Sequence, residues 1–446
     1  MQQNIDPGMV VQNLKAGWQA GGLKQKLIFT FGIIALFRLG AQLPIYGINN
    51  TIFQNFAGGN NLIGFLDMFS GGALGKVSIF ALGMGPYITS SIIMQLLAVV
   101  IPSLEKLQKE DGEAGRRKIQ QYTRIFAMGL ALFQSLIFSL ALCKFDGVIL
   151  PNINHGMFFI ASTVSLTAGA MIVMWLAELI TEKGVGNGAS LLIFVGIIAG
   201  IPMYCSNTAQ LVQQNKQLQL GLLLLVAIFV ATIIFIVVLH EATRKVPIVS
   251  ARRQVGNKVY GGQNTNIPFK LNPGGVMPII FAIAILLFPA TVLGVVQQMK
   301  IENVALSRVF ENLSLLFSAN SIWYYIIYFV LIVFLTFFYA SIIPSMQPKE
   351  IANNLKKYGS AIPGVKPGKP TADKLDEILS RVMFIGAVAL GVIAMVPAVA
   401  TKITNITTFQ GIGATSLIIL VGVALDFINQ IKTLMLAKNY ESFLQQ

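Results

Sequence analysis

Between Leu62 and Ile101 the chain interrupts its own hydrophobic run. Leu62 to Phe69 is largely apolar but too short to cross a bilayer. The run stops at Ser70-Gly71-Gly72, then restarts as a full-length span carrying Gly83, Gly85 and Pro86. Broken backbone facing lipid leaves N–H and C=O groups without partners, so a break at membrane depth must be buried in protein or line a water-filled cavity. This one segment predicts a membrane protein with a path, or a binding place, in its middle.

Apolar runs of about 20 residues, each matching the hydrocarbon thickness of a bilayer, recur along the whole chain. Charged residues make up only 11% of it, against roughly 25% in a soluble domain, so one large soluble core is the poorer reading. Ten spans are predicted, at 24–43, 74–101, 119–143, 154–180, 186–204, 219–240, 274–296, 321–343, 379–399 and 411–436. They are far longer than the strands of a membrane barrel, so the expected fold is an all-α polytopic membrane protein. Residues 1–23 are polar and weakly amphipathic, without the apolar core of a cleavable signal, and are expected to lie on the membrane surface.

A net charge of +14 raises the possibility of a nucleic-acid partner. Its distribution decides otherwise. With an even number of spans both termini share one side, taken as the cytosol. That side then holds 25 of the 32 Lys and Arg residues, the outer side holds 6, and Arg38 lies inside the first span. This is the positive-inside bias. Cys143 and Cys205 fall near outer span ends and read best as two free thiols, with a disulfide as the alternative.

Two cytosolic connections, 241–272 and 345–378, are long, basic and punctuated by Gly and Pro. Topology accounts for part of their charge. Their length needs another reason, because long loops in compact proteins are usually functional; docking of a large cytosolic partner is expected. A symmetry also shows. Span 2 carries Gly83, Gly85 and Pro86, and span 7, five spans later, opens with Asn272-Pro273-Gly274-Gly275 and carries Pro278 and Pro289. Interrupted helices at matching places of two oppositely oriented five-span halves mark an inverted repeat and point to a pathway at its interface, although Gly and Pro are common in membrane helices in any case. The halves are expected at 24–210 and 211–446.

Most chemistry is missing. Coupled transporters place ionisable groups at mid-membrane; here Arg38, Asp67, Glu178 and Asp426 lie near predicted span ends, and the interior polar groups (Thr89, Ser90, Ser91, Gln95, Gln134) are neutral. The run from Ser70 to Val77 departs from a phosphate loop at both ends. Gly184 to Gly188 joins two helices rather than a strand and a helix. His155 and His240 are far apart, so neither a metal site nor a hydrolytic triad assembles. No cofactor is expected, and any work must draw its energy from a partner.

Several motifs together closely resemble the SecY family, the channel subunits of the bacterial-type Sec translocon. They are Met68 to Leu74, Ser78 to Gly83 and Pro86-Tyr87-Ile88; Gly115 to Lys118, Gln121 to Arg124, and Ile180 to Gly188; and Phe288 to Thr291, Asn353 to Lys357, and Ala414 to Leu417. The resemblance runs in order from about residue 20 to residue 443. It implies two inverted five-helix halves around a central pore. It maps a pore ring onto Met84, Ile88, Ala189, Ile193, Ile280 and Ile419. A plug (62–75) and its hinge map onto Leu62, Phe65, Leu66, Met68, Phe69, Ser70, Gly71 and Gly72. A lateral gate between spans 2 and 3 and spans 7 and 8 maps onto Thr89, Ile92, Gln134, Asn272 and Pro278.

The same resemblance assigns docking of the ribosome or the SecA ATPase to Arg252, Arg253, Lys258, Lys356, Lys357 and Lys366. SecE and SecG are the implied membrane partners, and signal peptides and unfolded preproteins the cargo. The location implied is a bacterial inner membrane, or a thylakoid membrane for an organellar gene. Two residues depart from the family pattern: Lys366 stands where many members carry Arg, and Lys lacks the Arg fork; Ala189 is small for a sealing ring. The rivals are a solute transporter, which needs a buried ionisable site, and a membrane scaffold, for which the broken backbone has no purpose.

Overall fold

A computed structural model of the chain describes residues 22–50, 53, 67, 70–109, 112–144, 147–151, 153–214, 218–250, 253–255, 258–260, 264–298, 321–342, 346–404 and 414–444. A helix stands on every predicted span. These are α1 (Gly22–Gly40), α2 (Gly85–Val100), α4 (Gly112–Lys144), α5 (His155–Lys183), α6 (Gly188–Gln214), α7 (Leu218–Glu241), α8 (Met277–Gln298), α9 (Ile322–Ile342), α11 (Lys369–Thr404) and α12 (Ala414–Leu444). Among the described residues, α4, α5, α6, α7, α9, α11 and α12 are long and apolar enough to cross a membrane by length and composition. Two short helices, α3 (Pro102–Lys109) and α10 (Pro348–Lys357), lie in connections on the side assigned to the cytosol.

The packing of these helices repeats. In the first half α1 packs on α5 and α6, α2 on α4, α4 on α5, and α5 on α6. In the second half α7 packs on α11 and α12, α8 on α9, α9 on α11, and α11 on α12. Numbered as spans, each pair of the first half recurs five spans later. Five is odd, so corresponding helices run in opposite directions, and the chain is a two-fold inverted repeat. The halves meet where α8 reaches α2 and α4, and where α6 reaches α7 and α12.

Within the first half, α4 presents a small residue at every fourth position (Ala127, Ala131, Ser135, Ser139), all buried. This stripe lets α5 approach closely, as small residues do between membrane helices. Hydroxyl pairs close the seam: Ser135 with Thr167 at 2.7 Å, and Ser162 donating to Ser139 at 2.9 Å.

Span 2 differs from expectation. Residues 74–84, read as its first turns, are non-helical, and the helix begins only at Gly85. Val77 and Gly83 take left-handed backbone conformations (φ +43° and +52°), through which a right-handed helix cannot propagate. Pro86 sits in the first turn of α2, where its missing N–H costs no hydrogen bond. The irregular backbone is satisfied from within: Ile45 N donates to Val77 O and Ile79 N to Leu43 O, both at 3.0 Å. That internal pairing is the condition for such a break at membrane depth.

The two long connections, 241–272 and 345–378, are also more ordered than a reading as loops allows. Strand β1 (Thr243–Ser250) pairs antiparallel with β4 (Asn264–Lys270) from Thr243 opposite Lys270 to Val249 opposite Asn264. Its other edge takes β5 (Ser360–Ala361), which comes from the second connection. Between β1 and β4 a hairpin of β2 (Arg253–Val255) and β3 (Lys258–Tyr260) is inserted. Along β1, Val246 and Ile248 are buried while Lys245, Pro247 and Val249 are exposed, the period-two pattern of a half-covered sheet.

The covering side consists of Ala352 and Leu355 from α10 with Ala372, Leu375 and Leu379 from α11. Helix α11 therefore begins at Lys369, well before the predicted 379. Its added turns are amphipathic: the apolar residues pack on the sheet, while Glu377 pairs with Lys374 at 2.9 Å and Arg381 at 2.6 Å. The Lys374 hydrogen bond, with the charges of Lys374 and Arg381, holds the Glu377 carboxyl below its ordinary range. Helix α4 likewise starts early, at Gly112 rather than 119, with exposed Arg116, Arg117 and Lys118 on its added turns.

Candidate functional site between the two halves

One continuous apolar core joins the halves, and all six ring candidates belong to it. Met84 (4% exposed), Ile193 (2%), Ile280 (4%) and Ile419 (0%) lie in the core itself, and Ile88 and Ala189 pack against it. Four of them are related by the inverted repeat. Residues 273–281 repeat the turn-then-helix pattern of residues 81–89. Gly83 and Gly275 are both left-handed (φ +52° and +59°) and stand two residues before the first residue of α2 and of α8. Gly85 N donates to Leu82 O and Met277 N to Gly274 O; Ile88 N donates to Met84 O and Ile280 N to Val276 O. Pro86 and Pro278 hold the same place in the two helices, and so do Ile88 and Ile280. On the other pair, Ile193 is the sixth residue of α6 and Ile419 the sixth of α12. The motif Gly-x-x-Pro at both sites is the sequence signal that exposes this register.

Around the gate candidates, α8 packs against α2 and α4. Ile92 and Pro278 are buried, and Gln134 and Thr89 half-buried. The polar groups find partners in their own half: Thr89 Oγ1 donates to Gly85 O (3.0 Å), Ser90 Oγ to Thr123 O (2.6 Å), and Asn272 Nδ2 to Gly275 O (2.7 Å). Asn272 is thus bonded within its own segment rather than to Gln134, and its buried Oδ1 has no partner among the described residues.

Of the plug candidates, Leu62, Phe65, Leu66, Met68 and Phe69 lie outside the described residues. The hinge candidates Ser70, Gly71 and Gly72 are described, and this segment is tethered. Arg38 of α1 donates from Nη1 to Gly71 O at 2.7 Å. Gly72 N donates to Asp67 O (2.8 Å), Gly75 N to Asp67 Oδ1 (2.6 Å) and Leu74 N to Ser70 Oγ (2.9 Å). Arg38 and Asp67, unassigned from sequence, therefore organise the break.

Two polar contacts between helices were likewise not legible in sequence. Glu178 of α5 is buried and accepts from Arg124 Nε (2.7 Å) and Gln120 Nε2 (3.3 Å) of α4. His240 of α7 meets Asp426 of α12 at 3.3 Å, on the wall of a cavity of about 240 Å³ that Asn187, Ser190, Lys270 and Asn272 also line. Cys143 and Cys205 are free.

Among the docking candidates, Arg253 and Lys258 stand on the β2–β3 hairpin, Lys356 and Lys357 are exposed in the last turn of α10, and Lys366 is exposed just before α11. Arg252 lies outside the described residues.

An inverted pair of five-helix halves, joined by one apolar core with a tethered break beside it, defines a polytopic membrane protein of the channel type. A family model described as SecY matches residues 78–428. The protein translocase subunit SecY of Synechocystis sp. is 45% identical over 434 residues, covering 96% of each chain. That of Aquifex aeolicus is 42% identical over 441 residues, covering 97% of this chain and 99% of its own. The chain belongs to the SecY family. Solved structures share the fold. One described as the structure of a protein conducting channel aligns with a TM-score of 0.63 at 16% identity over 92% of both chains. Sec61 in the canine ribosome–channel complex aligns with a TM-score of 0.58 at 14% identity, again over 92% of both chains.

Proposed function

We propose that this chain is the protein-conducting channel of a Sec-type translocase, with the pathway running between its halves, 24–210 and 211–446. Met84, Ile88, Ala189, Ile193, Ile280 and Ile419 form its constriction. The observation that carries this reading is the pairing of Ile88 with Ile280 and of Ile193 with Ile419 at equivalent positions of the repeat, inside one core shared by both halves. Apolar rings of this kind block ions by excluding water, and flexible aliphatic side chains can close around many different sequences. The segment 62–75 is the plug, hinged at Ser70-Gly71-Gly72.

The seam of α2 and α4 against α8 is the lateral gate. Thr89, Ser90 and the Asn272 Nδ2 are bonded within their own halves, so parting the halves does not break those bonds. That suits release of a hydrophobic segment sideways. The chain performs no chemistry; SecA or the ribosome supplies the work, with SecE and SecG beside it in the membrane. Both termini lie in the cytosol of a bacterial cell, or on the corresponding side of a thylakoid.

Purified chain reconstituted with SecE, SecG, SecA, ATP and a signal-bearing precursor is expected to carry the precursor into protease protection. Absence of protection with every partner present overturns the proposal. A further expectation concerns the basic hairpin. Neutralising phosphates releases counterions, so binding of this kind weakens as salt rises. Reversing charge at Arg252 and Arg253 should weaken ribosome binding most at low salt and lower the log–log salt slope by roughly 1 for each phosphate no longer neutralised. An unchanged affinity across a salt titration would leave the hairpin as a topology signal only.

A further inference from the structure

The two gate helices are each reached through a short non-helical lead-in, and the lead-ins are seated alike. Ile79 stands six residues before the first residue of α2, and Leu271 six before the first of α8. Ile79 N donates to Leu43 O, just beyond the end of α1; Leu271 N donates to Ala242 O, just beyond the end of α7. The carbonyls of the same two residues point at glycines. Ile79 O lies against Gly169 of α5, and Leu271 O against Gly386 of α11, so closely that a Cβ at either glycine would overlap the carbonyl oxygen. Gly169 and Gly386 are both buried.

Helices α5 and α11 correspond to each other in the repeat, as do α1 and α7. The seat is therefore one device built twice. Glycine weakens a helix relative to alanine, and a glycine inside a helix calls for a packing reason. Here the reason is a backbone resting on a backbone. Gly391, also on α11, differs in kind, because a Cβ there would meet only the ring of Phe329, which can turn aside.

We propose that Gly169 and Gly386 are a matched pair of bearings that set how far the two lead-ins, and with them Ile88 and Ile280, stand from the pore axis. Ile88 and Ile280 each follow nine residues after the seated carbonyl, through a left-handed glycine and a proline-led first turn that leave little slack. The glycines are positioning residues: neither belongs to the shared core around the ring, and each acts through the segment it carries. An added methyl must push its lead-in outward by roughly 1.5 Å before ordinary van der Waals separation is restored. The inference deepens the channel reading and takes its meaning from it, but its geometry is testable without transport.

The test places spin labels at Val100→Cys, on the exposed last turn of α2, and Lys270→Cys, beside the seated Leu271, with Cys143 and Cys205 changed to serine. The assembled membrane complex is measured in nanodiscs by pulsed dipolar spectroscopy. Gly386→Ala is expected to move the Lys270 label directly, and Gly169→Ala to tilt α2 and swing the Val100 label. Each should shift the mean distance by about 1 Å or more. Gly129→Ala, whose Cβ would meet nothing within 4 Å, should leave the distance where it is.

A folded Gly169→Ala or Gly386→Ala complex with the wild-type distance overturns the bearing. Shifted distances in a protein that moves no precursor would instead overturn the channel reading and leave the bearing standing. Should the alanine variants fail to assemble, hydrogen exchange on the wild-type complex decides. The Ile79 and Leu271 amides are expected to exchange far more slowly than those of the exposed turn at 363–368; exchange at the same rate overturns the proposal.

Discussion

Changing Ile280 and Ile419 together to asparagine should raise the resting ion conductance of the reconstituted complex by at least about tenfold. At present neither side chain meets water, with exposures of 4% and 0%. A buried amide without partners costs about 1–3 kcal/mol. Two asparagines in a dry constriction would both be unsatisfied, and water entering beside them removes that cost. The barrier to ions is the dry state itself, and about 1.4 kcal/mol off a barrier is a factor of ten. The repeat sharpens the expectation: Ile88→Asn with Ile193→Asn, at the equivalent positions, should raise the leak comparably. Conductance is read in planar bilayers without precursor. If the Ile280/Ile419 double variant conducts no more than wild type, those two residues leave the ring, and Ile88 and Ile193 lose the symmetry that supports them.

Hydropathy made the spans legible because the bilayer imposes a length that composition must meet. It was blind to what backbone conformation decides. Residues 74–84 are as apolar as a helix, and only the left-handed Val77 and Gly83 with Pro86 explain why α2 starts at Gly85. The sheet built from the two long connections was hidden for the opposite reason. β1 carries Arg244, Lys245 and Pro247 among its exposed residues, so its two buried ones, Val246 and Ile248, scarcely register in a composition window. Its partner strand β5 lies about a hundred residues further along and is two residues long, far too little for a pattern. The amphipathic start of α11 was read as loop because its charges outweigh Ala372, Leu375 and Leu379, although these face one side.

The ring candidates came from family resemblance and not from their surroundings in sequence, where an isoleucine in a membrane helix means nothing by itself. What sequence did contain, unrecognised, was the register of Gly83-x-x-Pro86 against Gly275-x-x-Pro278. That register relates Ile88 to Ile280 with no resemblance needed. Ion pairs such as Arg124 with Glu178 stayed out of reach, since charges near span ends look alike whether they turn to water or to each other.

Leu375→Ala should loosen both long connections at once. Leu375 is fully buried where α11 meets the sheet, packed in a cluster with residues of β1, β4 and α10. Removing a buried leucine costs about 2–5 kcal/mol, the upper end where the surroundings cannot collapse into the cavity. A module of this size has little stability to spare, because small units bury a small share of their surface. β1 and β4 come from the first connection and α10 and β5 from the second, and the loss falls on the surface that joins them. Trypsin should therefore cut faster at Arg253 and Lys258 and, in step, at Lys356 and Lys357, while the membrane helices stay intact. Faster cutting confined to the second connection would mean that the two fold independently and merely touch. Cutting in step would make them one body, connected to the gate where β4 ends at Lys270 and Leu271 follows, so that a partner bound to the hairpin bears on α8 through a strand rather than through a slack loop.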